Sequence, residues 1–202
     1  CPVSNSAFAT LWIKSLQNTI ITKSINGKKL SRQVDNQRFG FTARIITAKR
    51  SYVYGELMAF IMKQRSSKEN FTIVPPEVKS TRGSETQVVS VNGSHTAGDN
   101  TIAMDGFGAD GAGRFKAGDL IKFASHTKIY MIVEDVTSSS NASTVTIEPP
   151  LINALADDEV VTYNNVPFTV HLTNDIQEFG AVGADKDGNL LYEFELDVEE
   201  AI

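Results

Sequence analysis

The sequence predicts a mainly β protein with one α-helix and a small β-barrel or sandwich in the middle of the chain. Strand-like runs occupy both ends, a single stretch near residue 60 has helical spacing, and five or six short β runs fill residues 80–164 without a helix. A chain of 202 residues is long enough to bury one large core or two small ones.

The first part of the chain is mostly strand-like. Runs of β-prone residues at 18–24 and 28–34 flank Asn26-Gly27, which predicts a hairpin because both residues tolerate positive φ. The run at 38–48 alternates apolar and polar residues, as a half-buried strand does. Its predicted buried face consists of Phe39, Phe41, Ala43 and Ile45.

The spacing changes to a helical period at residues 51–65. Ser51 is placed to cap the N-terminus of this helix, and Lys63 lies near its C-terminus, where a cation is favoured. A short strand is expected at 71–74, before two prolines that stop regular hydrogen bonding. The predicted apolar face of the helix consists of Val53, Leu57, Phe60 and Ile61.

The composition shifts after Lys79, where glycine, serine, asparagine and aspartate separate short β runs. Such spacing is typical of a small sandwich or closed barrel that can fold alone. The glycine-rich stretch at 106–113 lacks the Lys-Ser/Thr and the helix of a phosphate-binding loop, so a flexible loop is predicted. The predicted strands are 86–91, 101–105, 119–125, 128–136, 143–149 and 159–164.

Two strand-like runs, at 166–172 and 190–198, complete the chain. The sequence DKDGN at 185–189 resembles part of a calcium loop, but the glutamate that an EF-hand needs at its twelfth position is missing. We interpret it as a hairpin turn between two strands. In the last run large apolar residues alternate with acidic ones, which predicts one buried and one acidic face. The acidic face includes Glu193, Glu195 and Asp197.

Charge is distributed unevenly along the chain. Residues 1–79 carry 13 basic and 4 acidic side chains, residues 80–164 carry 5 and 11, and residues 165–202 carry 1 and 9. The two ends together are nearly neutral. We interpret this as one folded body built from residues 1–79 and 165–202, interrupted by an independent barrel at 80–164.

The composition excludes several classes of protein. No apolar run approaches the ~18 residues of a transmembrane helix, so no membrane insertion is predicted. Cys1 is the single cysteine, which excludes an intramolecular disulfide and a cysteine-clustered zinc site. Mature bacterial lipoproteins also begin with cysteine, but no signal peptide supports that alternative.

Asp119, His126 and Tyr130 raise the question of a catalytic site. However, Gly118-Asp119 before an apolar strand is typical of a turn, and residues 125–127 fall where a hairpin between two strands is expected. We therefore interpret these side chains as structural. The sequence predicts no catalytic residue, no cofactor and no metal site, and thus a protein that is not an enzyme.

A cluster of basic residues in the first fifty positions has two interpretations. With Phe39 and Phe41 it could form a nucleic-acid stripe, since such domains combine basic residues with exposed aromatic ones. The two aromatic residues alternate onto the predicted inward face, and the chain has a net charge of -5, so a solvated or interface surface is favoured. The cluster consists of Lys23, Lys28, Lys29, Arg32, Arg38, Arg44, Lys49 and Arg50.

The segment KAGDLIKFASHTKIYMIVEDVTSSSNASTVTIEPPL at 116–151 resembles the middle of the distal tail proteins of long-tailed, non-contractile bacteriophages, in the subgroup with an inserted OB-like barrel. The flanks FTARIITAKRSYVYGELMAFIMKQR, VPFTVHLTNDIQEFG and LLYEFELDVEEAI are similar as well. The likeness extends from about Ile20 to Ile202. Its most specific part is AGDLIKF followed by HTKIYMI.

This resemblance implies a structural protein of the virion. In that family a tail-tube-like domain, two β-sheets flanked by one helix, forms a hexameric ring at the tail tip, and the inserted OB-like barrel decorates its outside. The ring joins the tail tube protein to the baseplate hub protein and surrounds a channel for the tape measure protein and DNA. The implied location is the distal end of the phage tail, after synthesis in the host cytoplasm.

Several alternatives stay open at this point. Glu193, Glu195 and Asp197 could line the channel, since an acidic lining does not trap phosphates, or they could form an ordinary solvent face. The chain could also be a tail tube or tail terminator protein, which shares the tube-like fold. A third possibility is a carbohydrate-binding module at the tail tip, in which the barrel contacts the host surface.

Overall fold

A computed structural model describes residues 8–34, 36–49 and 54–202. The chain divides into two compact units. The first comprises Cys1–Leu16, Arg38–Ile73 and Thr169–Ile202, and the second comprises Gln17–Gln37 and Val74–Phe168.

The described residues form sixteen strands and one α-helix, α1 (Gly55–Lys63). The prediction of a mainly β chain with one helix and a small barrel is confirmed for this part of the chain. The strands are β1 (Phe8–Leu16), β2 (Thr19–Lys23), β3 (Lys29–Gln33), β4 (Arg38–Lys49), β5 (Phe71–Ile73), β6 (Val89–Val91), β7 (Thr101–Asp105), β8 (Gly111–Ala112), β9 (Leu120–Phe123), β10 (Ile129–Ile132), β11 (Thr137–Ser138), β12 (Ala142–Glu148), β13 (Val160–Thr162), β14 (Phe168–Leu172), β15 (Gly180–Ala184) and β16 (Leu190–Glu200).

The first unit is built on a six-stranded sheet that takes strands from both ends of the chain. Its order is β1-β4-β16-β14-β5, and β15 pairs with the first residues of β16. In the antiparallel pair of β4 and β16, Phe41 lies opposite Val198 and Ala43 opposite Leu196. Opposite residues share a face, so the two central strands present one apolar surface. Its buried residues are Phe39, Phe41, Ala43, Ile45, Phe194, Leu196 and Val198.

Helix α1 ends two residues earlier than the sequence predicts. It begins at Gly55 and ends at Lys63, while the predicted cap Ser51 and the apolar Val53 lie outside the described residues. Among the described residues, no helix combines the length and the apolar character that crossing a bilayer needs. From the predicted apolar face, the structure buries Leu57 and Ile61 and half-buries Phe60.

Strands β2 and β3 form the hairpin predicted from the Asn-Gly dipeptide. Ile20 lies opposite Arg32 and Thr22 opposite Leu30, and Gly27 in the turn has a φ of 79°, which favours glycine. Every residue of both strands is exposed. Burial within this chain therefore contributes little to the stability of the hairpin.

The second unit contains a closed six-stranded barrel of order β10-β12-β7-β6-β13-β9. All neighbouring strands are antiparallel. Closure removes the unpaired edges that an open sheet exposes. The barrel encloses an apolar core that includes Val89, Ile102, Met104, Phe107, Phe115, Ile121, Phe123, Tyr130, Val145, Ile147 and Val161.

The glycine-rich stretch at 106–113 contains a short strand that the sequence does not predict. It contains β8, which pairs with β11, and the Asp110 carboxylate accepts hydrogen bonds from the N–H groups of Ser140 and Asn141, both at 3.0 Å. Whether the rest of this stretch is flexible stays a prediction. Strands of two residues are too short for alternation to reveal them.

The chain enters and leaves the second unit's barrel at neighbouring positions. The N–H of Asn165 donates to the carbonyl of Lys79 at 2.6 Å. Close by, the N–H of Thr81 donates to the side-chain oxygen of Asn164 at 2.9 Å. The two ends of the barrel segment are thus held together by hydrogen bonds.

Candidate functional site

The acidic residues predicted to share one face of the last strand lie together on β16. Glu193, Glu195 and Asp197 alternate with the buried Phe194 and Leu196. A strand directs successive side chains to opposite faces, so the apolar residues anchor β16 while the carboxylates reach the surface. We call Glu193, Glu195 and Asp197 the acidic face.

Groups on neighbouring strands offset part of this charge. Glu193 is ion-paired with Arg44 of β4, and Asp197 accepts a hydrogen bond from the hydroxyl of Thr42. The Nζ of Lys14 on β1 lies 3.7 Å from the Asp197 carboxylate. Exposed ion pairs contribute only ~0–1 kcal/mol to stability, so their main effect here is to lower the local charge.

Glu195 is the most accessible carboxylate of the acidic face. It is exposed, whereas Glu193 and Asp197 are half-buried. It lies opposite Arg44 in the strand register, but that guanidinium pairs with Glu193. Within the part of the chain that the structure describes, Glu195 has no hydrogen-bond or ion-pair partner. Its negative charge is therefore available to a ligand or a partner protein.

A groove of about 970 Å³ runs beside the acidic face. Asn174, residues 176–180 and Val182 of β15 form its other side. Two apolar side chains in this groove are strongly exposed, Ile176 at 80% and Val182 at 56%. The groove therefore offers negative charge and apolar surface together.

Stacked aromatic rings connect the groove to the sheet and the helix. The ring of Phe179 stacks on Phe194 of β16, with centroids 5.5 Å apart. Tyr54, directly before α1, stacks on Tyr192 at 4.6 Å and meets Phe179 edge-on at 6.5 Å. Burial, with a smaller effect from Tyr192, raises the pKa of the Tyr54 phenol. Of these rings, Phe179 lines the groove, and the others pack behind it.

Asp119 has a structural role in the barrel, as the Gly-Asp turn predicts. Its buried carboxylate accepts hydrogen bonds from the Thr81 hydroxyl, from the N–H of Arg82 at 2.8 Å and from the N–H of Lys116 at 2.9 Å. These bonds join the segment that enters the barrel to the turn before β9. They occupy the carboxylate and keep it away from solvent.

His126 and Tyr130 form a second buried set of hydrogen bonds. His126 Nδ1 lies 2.8 Å from the Tyr130 hydroxyl, which also accepts the N–H of Ile152 at 3.3 Å. His126 Nε2 lies 3.5 Å from the carbonyl of Ala154. All groups are satisfied when the phenol donates to Nδ1 and the Nε2–H donates to this carbonyl. Because both side chains are buried, a substrate cannot reach them.

Glu85 and Arg114 form a buried ion pair in the second unit. The Arg114 Nε lies 2.9 Å from the Glu85 carboxylate, which also accepts the N–H groups of Thr86 and Gln87 at 2.8 Å. Burial by itself raises the pKa of Glu85, but the hydrogen bonds from Gln87, Arg114 and Thr86 outweigh it and hold the pKa below its usual range. The folded barrel therefore favours the charged form of the Glu85 carboxylate.

The sequence at 185–189 is a hairpin turn, as predicted. It joins β15 to β16, and the Asp185 carboxylate accepts hydrogen bonds from the N–H groups of Asp187 and Asn189, both at 2.9 Å.

Among the residues that the structure describes, no group of three or more His, Cys, Asp or Glu side chains is arranged to hold a metal ion.

Residues 77–166 match the family model for the B domain of distal tail protein pb9. The match contains every strand of the closed barrel, from β6 to β13. No curated protein matches the sequence.

Proposed function

We propose, from the premise that this chain is a distal tail protein of long non-contractile-tailed bacteriophages, that it forms a hexameric ring at the tip of the tail. The family match supports a structural role in the phage tail and a place in the virion. The observation that carries the proposal is the match of a distal tail protein domain to the closed barrel. The barrel accompanies a separate sheet-and-helix unit.

In this proposal residues 1–79 and 165–202 form a tail-tube-like ring domain, and residues 80–164 are an inserted OB-like barrel. The pairing of β4 with β16 supports it, because this pairing brings both ends of the chain into one sheet. The hydrogen bond between Asn165 and Lys79 also supports it, since an inserted domain needs its two ends close together.

The ring would connect the tail tube protein to the baseplate hub protein and surround the channel for DNA and the tape measure protein. Its place would be the distal end of the tail, after synthesis in the host cytoplasm. A role in assembly requires no catalysis, and the hydrogen bonding of Asp119, His126 and Tyr130 supports this non-enzymatic role.

We infer that the acidic face lines this channel. A lining of carboxylates repels the phosphates of DNA and lets DNA pass without being held. Glu195 would contribute most to this effect, because the charges of Glu193 and Asp197 are partly offset by Arg44 and Lys14.

The alternatives have less support. A match to a B domain favours a distal tail protein over a tail tube or tail terminator protein. A carbohydrate-binding barrel would stack sugars on exposed aromatic rings, but five aromatic residues of this barrel are buried. They are Phe107, Phe115, Phe123, Tyr130 and Tyr163.

Cryo-electron microscopy of the purified full chain, alone and mixed with tail tube protein, tests the proposal. We expect a six-fold ring with Glu195 facing the central channel. If the chain stays monomeric in both samples, the ring is refuted. If a ring forms with the acidic face pointing outward, the ring stands and the channel lining is wrong.

A further inference from the structure

Two Asn-Gly pairs lie in turns of the second unit. Asn26-Gly27 joins β2 to β3, and Asn92-Gly93 directly follows β6. An asparagine followed by glycine is prone to deamidation, because glycine has no Cβ to hinder the attack of its backbone nitrogen on the asparagine amide. Both asparagines are exposed, and a β-branched residue precedes each of them. Exposure and local sequence are thus alike, so a difference in reactivity has to come from the surrounding structure.

The Asn92-Gly93 turn is held by the barrel. The N–H of Asn92 donates to the carbonyl of Ala103 at 2.9 Å, and the N–H of Gly93 donates to the Asp157 carboxylate at 2.6 Å. A hydrogen bond to a charged acceptor is stronger than one to a neutral acceptor. To attack, the Gly93 nitrogen must lose this proton and become negative, and the like charge of Asp157 opposes that change. Asp157 therefore holds Gly93 out of the reaction.

The Asn26-Gly27 turn is held more weakly. The N–H of Gly27 donates to the neutral carbonyl of Ser24 at 2.9 Å. Residues 17–34 contain four basic side chains and no acidic one, so the local charge favours loss of the Gly27 amide proton. Every residue of β2 and β3 is exposed, and a two-stranded hairpin is at best marginally stable in water. This turn therefore opens more often than a turn anchored on the barrel.

The Ser24 hydroxyl is placed to assist a reaction at Asn26. It donates a hydrogen bond to the side-chain carbonyl oxygen of Asn26. It also lies 3.2 Å from the carbonyl oxygen of Lys28, but its one proton serves the closer acceptor. When a nitrogen attacks the side-chain amide carbon, negative charge develops on the side-chain oxygen, and a donor placed there stabilises that charge.

We propose that Asn26 is the site of a spontaneous deamidation from which Asp157 protects Asn92. The Gly27 nitrogen loses its proton to hydroxide and bonds to the Cγ of Asn26. The bond from Cγ to Nδ2 then breaks, and the amide nitrogen takes a proton from water and leaves as ammonia, so that a cyclic imide forms. Water opens this imide at one of its two carbonyl carbons and leaves aspartate or isoaspartate at position 26. The reaction transfers no electrons and does not depend on the ring proposed above.

Deamidation changes the surface of the hairpin in two ways. A carboxylate at position 26 lowers the net charge of residues 17–34 from +4 to +3. Isoaspartate also adds a methylene group to the main chain directly before Gly27, whose φ of 79° belongs to the tight turn. The exposed basic hairpin therefore alters with the age of the protein, without an enzyme.

Peptide mapping by mass spectrometry tests the proposal on the purified full chain. Samples taken during incubation in mildly alkaline buffer are digested, and the fraction of each asparagine that has exchanged its amide NH2 for OH is read from the peptide mass. We expect Asn26 to deamidate at least about tenfold faster than Asn92 in the folded chain. In urea the two rates should become similar, because the protection of Asn92 needs the fold. Equal rates in the folded chain overturn the proposal, as does a faster reaction at Asn92 or a difference of the same size in urea.

Substitution of Asp157 tests the protection directly. Asp157→Ala should speed the deamidation of Asn92 about tenfold and leave the rate at Asn26 unchanged. The matched control is Asp158→Asn, which removes a neighbouring exposed charge, and asparagine tolerates the φ of 62° at this position. An unchanged rate at Asn92 in Asp157→Ala, or an equal rise in the control, refutes protection by Asp157.

Substitution of Ser24 tests the assistance by its hydroxyl. Ser24→Ala should slow the deamidation of Asn26 about threefold, since one hydrogen bond to the reacting oxygen is lost. Ser24→Thr keeps a hydroxyl and should keep the rate of the wild type. An unchanged rate in Ser24→Ala, or equal slowing in both variants, refutes the role of the hydroxyl.

Discussion

Replacing Asp119 with alanine should destabilise the barrel strongly. The substitution removes the acceptor of three hydrogen bonds, from the Thr81 hydroxyl and from the N–H groups of Arg82 and Lys116. A hydrogen bond contributes ~1 kcal/mol net, somewhat more with a charged acceptor, so we expect a loss of ~3–5 kcal/mol. Since a whole domain is stable by only ~5–15 kcal/mol, this is a large fraction of the total.

Hydrogen exchange read by mass spectrometry on the full chain measures this loss in peptides from β7 and β12. Asp119→Asn keeps one acceptor oxygen and should lose only ~1–2 kcal/mol. Asp157→Ala is the matched control, because this exposed carboxylate accepts one N–H, from Gly93 at 2.6 Å. If Asp119→Ala costs no more than Asp157→Ala, the carboxylate does not hold the barrel together, and a functional role for Asp119 would have to be reconsidered.

Three further predictions concern both units. The folded-state pKa of Glu85 is depressed, so the contribution of Glu85 to stability is present above its unfolded-state pKa and is lost as the pH falls through its folded-state pKa. Acid titration of the Glu85→Gln variant should therefore show a shallower loss of barrel stability than acid titration of the wild type. Phe194→Ala should cost the first unit ~3–5 kcal/mol in a urea titration and increase exchange around Phe179, and an unchanged midpoint would contradict the stacking. Gly106→Ala should destabilise the barrel, because a Cβ there would lie 2.5 Å from the Val88 carbonyl oxygen and φ is +82°; circular dichroism melting identical to the wild type would refute this.

Strands with strong alternation can be predicted from the sequence. The runs that became β4 and β16 alternate large apolar with polar residues, so both their position and their buried face follow from the two-residue period. The hairpin of β2 and β3 follows from its Asn-Gly turn. In these cases the local signal and the final packing agree.

Elements without a local signal could not be predicted. Strand β15 has the sequence GAVGA, in which glycine and alanine disfavour strands and no alternation is visible. Its pairing with β16 is a tertiary effect. Phe179 gives no hint of its role either, because its partner Phe194 is distant in sequence.

The groove could not be predicted from the sequence, because β15 and Phe179 form part of its lining. The acidic residues on one of its sides were predictable from the alternation of β16. Its opposite side consists of Asn174, residues 176–180 and Val182, whose position against the sheet has no local signal in the sequence. Whether the acidic face lines a channel stays a prediction.

The hydrogen bond between Asn165 and Lys79 has an evolutionary consequence. Because Lys79 and Asn165 are already hydrogen-bonded, the 85 residues between them can be exchanged as a unit without stretching the remainder of the chain, and a very short linker would bridge the gap. In the tail protein proposed above, recombination at two adjacent points could therefore exchange the barrel while the pairing of β4 with β16 stays intact.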